Sequence, residues 1–286
     1  MSDVPVKIGS SDLMPPESHY RPMRIAGPRL LGVASWLLLV IAFSLLILTP
    51  SLFLLALFPL VPGLVLVWRI RQNAYRANEE NQRAINLLAV GEYDAAGEVF
   101  EQLCRDRWSW AHALFVFNRG VVYRMKGRPR RALSLFNAAE SSGRMKSRVF
   151  RPLAPNLLIE TALCHAVIGN IDEASRYLER ARDLLPHHGD GRLLLTETII
   201  LLHRGLHEEA LQQLDNRWRY ADGALTGSSL KALRLLKAYA MQASGQEDSV
   251  EFRRMLDGIY PWRTEEFVWL TAPWPQMAAF VSSNLR

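Results

Sequence analysis

The chain has 286 residues, 49% of them hydrophobic, which is enough for one or two domains with a sizeable core. A formal charge of +6 suits proximity to an anionic surface but does not demand nucleic acid. The only cysteines, Cys104 and Cys164, sit within helix-like sequence; they do not make a disulfide framework and are read as free buried thiols of a reducing compartment.

Residues 1–29 hold Pro5, Pro15, Pro16, Pro22 and Pro28 among polar residues. With so little apolar content to bury, this stretch is expected to be a disordered tail.

Two uncharged apolar runs follow, residues 30–48 and 51–68, separated by Thr49 and Pro50. Each approaches the length needed to cross a hydrocarbon core. Pro50 removes a backbone donor and crowds the preceding turn, so one long helix is disfavoured. The expectation is a transmembrane helical hairpin over residues 30–69, with Pro59 and Pro62 kinking its second arm; a shallow hairpin that does not fully cross is the alternative. The first run lies too far from the start, and is followed too soon by the second, to read as a cleaved signal. Arg21, Arg24 and Arg29 precede the hairpin and Arg69, Arg71 and Arg76 follow it, while the turn carries no charge. The positive-inside rule then keeps both termini cytoplasmic, with Trp68 at the interface. The expected location is a bacterial inner membrane.

Residues 70–262 carry a repeat. "GEYDAAGEVF" at Gly91 is echoed by "GRPRRALSLF" at Gly127, "GNIDEASRYL" at Gly169, "GLHEEALQQL" at Gly205 and a degraded "GQEDSVEFRR" at Gly245, at spacings of 36, 42, 36 and 40 residues. A glycine ends one helix by taking a left-handed backbone conformation. A small residue five positions later (Ala96, Ala132, Ala174, Ala210) lets a second helix approach the first closely. A large apolar residue four further on (Phe100, Phe136, Leu178, Leu214) fills the space one turn away. Val250 replaces the alanine in the fifth copy.

This pattern resembles the tetratricopeptide repeat, a helix–turn–helix unit of about 34 residues, over roughly residues 77–260. Gly120 and Tyr123 fit the family's small and aromatic positions on the first helix, and Pro186 its closing proline. The resemblance implies an all-α solenoid, and with it a fold of N-terminal transmembrane hairpin followed by a tetratricopeptide-like α-solenoid. Residues 263–286 are expected to cap the stack, using Phe267, Trp269, Leu270, Met277, Phe280 and Val281, with Trp274 in a turn between Pro273 and Pro275.

No phosphate loop, dinucleotide fingerprint, nucleophile elbow or His-Glu-x-x-His occurs, so no catalytic, cofactor or metal site is expected. His203 and His207 are separated by a helix-breaking Gly205, and His187, His188 and Asp190 lie in a loop-like PHHGDG. The resemblance implies instead a concave groove of first helices that binds a peptide. Its residues would include Asn81, Phe117, Asn118, Val121, Arg124, Ile159, Glu160, Leu163, Thr196, Ile199 and Tyr239. Of the set with which some members hold a terminal carboxylate, only Asn118 matches; Ile85 and Glu160 stand where an asparagine and an arginine belong, and Glu160 would repel a carboxylate. The basic stretch RMKSRVFR, residues 144–151, is either a solvated loop or a contact for headgroups or an acidic partner through Arg144, Lys146, Arg148 and Arg151.

The expected function is therefore non-enzymatic: a membrane-anchored scaffold that binds a protein or peptide partner, with no nucleic acid and no small-molecule substrate. The alternative is an accessory subunit of a membrane enzyme, transporter or envelope-assembly complex that docks through its hairpin.

Overall fold

The computed structural model describes residues 40, 44, 53–106, 109, 111–185, 191–225 and 227–285. Among them all regular structure is helical. Ten helices pair in sequence: α1 (Phe53–Ala89) with α2 (Tyr93–Arg105), α3 (His112–Met125) with α4 (Pro129–Ser141), α5 (Ala154–Val167) with α6 (Ile171–Leu184), α7 (Gly191–His203) with α8 (His207–Ala224), and α9 (Gly227–Ala243) with α10 (Val250–Asp257). Two short helices, α11 (Thr264–Thr271) and α12 (Pro275–Asn284), complete the chain. This is an all-α, tetratricopeptide-like solenoid of five helix pairs.

The repeat glycines do what their positions predict. Gly91, Gly127, Gly169, Gly205 and Gly245 all have φ between +68° and +87°. In each turn the glycine N–H reaches the carbonyl three residues back, and the next N–H reaches five back, as in Arg128 N to Tyr123 O at 2.9 Å and Asn170 N to His165 O at 2.9 Å. That double closure satisfies the last carbonyls of the first helix and turns the chain into the second. Ala96, Ala132, Ala174 and Ala210 are completely buried, with Phe100, Phe136, Leu178 and Leu214 behind them. Gly120 provides the close approach within unit two: a Cβ there would lie 2.4 Å from Cε1 of Phe136.

The fifth pair departs from this register. Val250 is exposed, and Phe252 and Met255 face the core instead. Ser249 caps this short helix by accepting from the Phe252 N–H at 3.1 Å. The 42-residue spacing between Gly127 and Gly169 is taken up by two 3-10 turns, Arg144–Lys146 and Arg151–Leu153, anchored by buried Met145 and Phe150.

The expected hairpin over residues 30–69 falls only partly within the described residues. The tail and most of the first apolar run lie outside the described residues, and among the described residues no helix is long and apolar enough to cross a membrane. The second run instead opens α1, which runs through Pro59 and Pro62 and continues past Arg69 into the first helix of unit one. Residues 53–68 supply about 24 Å of apolar helix at about 1.5 Å per residue. Leu64, Val65, Leu66, Val67, Trp68 and Ile70 are all exposed, whereas Asn81 and Ala84 on the same helix are buried in the stack. α1 is thus an apolar stem fused to a repeat helix.

Candidate partner-binding face

The first helices of the units, α1, α3, α5, α7 and α9, carry every residue expected in the groove. Most of those side chains are buried within the stack rather than presented to solvent. Asn118 Nδ2 donates to Asn81 Oδ1 at 2.9 Å, 37 positions apart. Arg124 Nε donates to Glu160 Oε2 at 2.5 Å, and Arg192 Nη2 to Asn156 Oδ1 at 2.8 Å, each 36 positions apart. Each bond joins the first helices of successive units, so together they form a ladder along the stack. Ile159, Leu163 and Ile199 belong to the main core, Thr196 returns its hydroxyl to Arg192 O at 2.9 Å, and Phe117 packs on Phe136 with ring centres 5.5 Å apart. Val121 and Tyr239 are half-buried.

The Arg124–Glu160 pair answers the mismatch seen in the sequence. Glu160 neutralises an arginine of the preceding unit, and both side chains are about nine-tenths buried. A second buried carboxylate, Glu197, takes Arg182 and Arg217, each at 2.6 Å, and joins units three and four. Arg217 stands where other copies have a small or apolar residue, and this pairing accounts for it. Lys237 joins units four and five through Asp215 at 2.8 Å and Glu251 at 3.1 Å, with its ammonium 4.8 Å from the Trp218 ring centre.

The C-terminal helices cross this face. Trp269 of α11 lies under the Arg124 guanidinium at 5.3 Å. Val268 and Ala272 pack on the unit-two turn so closely that a Cβ at Gly127 would come within 2.8 Å of both. At the other end of α11, Glu266 accepts from Lys231 of α9 at 2.9 Å. The Tyr93 phenol of unit one is pushed up chiefly by burial, with Glu266 and Glu265 adding to the rise and Arg124 opposing it. Trp274, between the two helices, stacks on His203 of α7 with centres 4.1 Å apart and meets Tyr239 of α9 edge-on at 5.4 Å; Phe280 of α12 also meets Tyr239 edge-on at 5.4 Å. Residues 264–285 therefore form a strap along the first helices, reaching from unit five back to unit two.

The sequence named the strap's apolar residues but not what they touch. The signal was Ala-Pro-Trp-Pro, a rigid break between two helical runs that fixes one aromatic at a bend.

Of the basic stretch, Arg144 donates to Ser109 O at 2.7 Å, while Lys146, Arg148 and Arg151 are exposed. A crevice of about 290 Å³ lies beside the strap, lined by Gly127, Arg128, Pro129, Arg130, Arg131, Ile168 and Pro273. His187, His188 and Asp190 lie outside the described residues, as does Pro186. No metal-binding cluster is found among the described residues. Burial pushes the Cys104 thiol up to about 12 and that of Cys164 higher still.

Residues 81–145 match the tetratricopeptide repeat. The matched segment runs from the end of α1 through α4, the two units in which the glycine, alanine and phenylalanine positions are best kept. No curated protein matches the chain. Crystal structures of nearly identical TPR-like repeats from a Podosopora anserina protein designated a kinesin light chain, and of a single-substitution form, are similar at 18% identity. They have TM-scores of 0.45 and 0.46, covering 74% and 73% of this chain and 98% and 96% of theirs.

Proposed function

We propose that the protein is a membrane-anchored, non-enzymatic adaptor whose tetratricopeptide-like stack engages a protein partner. One observation carries the reading: the exposed apolar stem and the first repeat helix are a single helix, α1. An exposed helix that is apolar all round is costly in water, so it needs a bilayer or another apolar surface. Together with the apolar residues 30–48 it supplies the anchor. Arg69, Arg71 and Arg76 then mark the cytoplasmic side, with the stack beyond them. Exposed Lys146, Arg148 and Arg151 are available to an anionic surface or an acidic partner.

Holding the stack at a membrane raises the local concentration of what it binds. The test is crosslinking of the full-length chain in intact membranes, combined with carbonate extraction. The chain should stay with the vesicles and recover a specific protein through its repeats. Release of the intact chain by carbonate would overturn the anchoring, and absence of any repeat-dependent crosslink would overturn the adaptor role.

The second reading, an accessory subunit docked through its apolar segment, gains from the exposed side chains of Leu64, Val65, Leu66, Val67 and Trp68 on α1. Exchange of residues 30–68 for an unrelated apolar anchor separates the two. Survival of function favours the adaptor; loss with membrane targeting intact favours the subunit.

A further inference from the structure

We infer that the strap is a resident ligand of the repeat face, and that a partner carrying a proline-flanked tryptophan segment binds by displacing it. The inference rests on the adaptor reading and adds the partner's chemistry and its regulation. The polar bonds that join the units do not use the strap, whose apolar side chains are buried against the main core. The ladder bonds Asn81–Asn118, Arg124–Glu160 and Asn156–Arg192, and the nodes at Glu197 and Lys237, involve no residue beyond Glu251. What the strap contributes is ligand-like: two tryptophans seated on Arg124 and on His203 and Tyr239, and an acidic first turn of α11, Glu265–Glu266, whose Glu266 accepts from Lys231.

Closure also leaves a polar atom poorly served. His203 Nε2 is buried and has no hydrogen-bond partner among the described residues. Burying such an atom costs free energy that opening returns. The face thus selects a tryptophan fixed at a bend by prolines, with acidic residues on its N-terminal side, and holds its own copy until a better one arrives.

The test uses the full-length chain in detergent and a labelled synthetic peptide of residues 264–286. The Trp274→Ala chain should bind the peptide at least tenfold more tightly than the wild-type chain, because its own strap competes less well. In the wild-type chain, amides of 264–285 should exchange with deuterium through openings more frequent than those of α5 and α7. Equal peptide affinity for the two chains, or binding to neither, overturns the inference. So does strap exchange that coincides with that of α5 and α7, a measurement that needs no variant and decides the matter if Trp274→Ala does not fold. None of these readouts depends on the membrane or the native partner, so the adaptor reading stands or falls separately.

Discussion

Replacing Glu160 by glutamine keeps the shape of the side chain and deletes its charge. The Arg124 guanidinium would then face a neutral amide in a setting where both side chains are about nine-tenths buried and the direct bond is 2.5 Å long. Breaking one half of such a pair costs about 3–5 kcal/mol, because an uncompensated charge remains out of water. The Trp269 face at 5.3 Å returns only about 0.5–2 kcal/mol of that, and it is already present in the native protein. Against a typical total of about 5–15 kcal/mol, the loss is severe. Urea unfolding of the full-length chain, followed by circular dichroism, should show Glu160→Gln strongly destabilised. The double variant Arg124→Met with Glu160→Leu should recover most of the loss, since well-packed apolar replacements of a buried pair are often neutral. A cost below about 1 kcal/mol would mean that Arg124 is solvated, as at an exposed pair. That result would refute both the burial of the ladder and its coverage by the strap.

Other perturbations separate packing from chemistry. Gly120→Ala should destabilise by about 1–3 kcal/mol through the clash with Phe136, while Gly97→Ala, whose Cβ meets Val122 at an ordinary 3.4 Å, should gain up to about 1 kcal/mol from helix propensity; denaturant midpoints compare the two. Cys104 and Cys164 should resist thiol reagents in the native state at neutral pH and react only on unfolding, because burial keeps both protonated. Burial also lowers the His203 and His165 pKa values, with Arg176 adding to the effect at His165. The unfolded chain therefore binds more protons than the folded one as pH falls below the ordinary value of about 6.5, and stability should decline from there downward, as melting temperatures across pH 7.5 to 5 would record. A flat profile would place both imidazoles in solvent.

The solenoid was legible because its rules are local. A left-handed glycine, an alanine five positions on and a large apolar residue four beyond that are sizes at fixed spacings, and each acts within one unit. The same rules located the first helices and so the face they share. They could not tell which of its residues were free, since Arg124 and Glu160 read as separate groove positions until the 36-residue offset set them side by side. The degraded fifth copy was legible in Val250, but not its cause: Ser249 starts the helix so that Phe252 turns inward. The strap's path was beyond local reading, because it depends on the curvature summed over four preceding units.

The continuity of α1 has a mechanical consequence. Between Trp68 and buried Asn81 the chain is uninterrupted helix, a stiff shaft of about 20 Å at about 1.5 Å per residue. Whatever grips the apolar end fixes both the standoff and the tilt of the stack, for no joint lies between them. A pull or rotation applied at one end would be felt at the other as a change of heading.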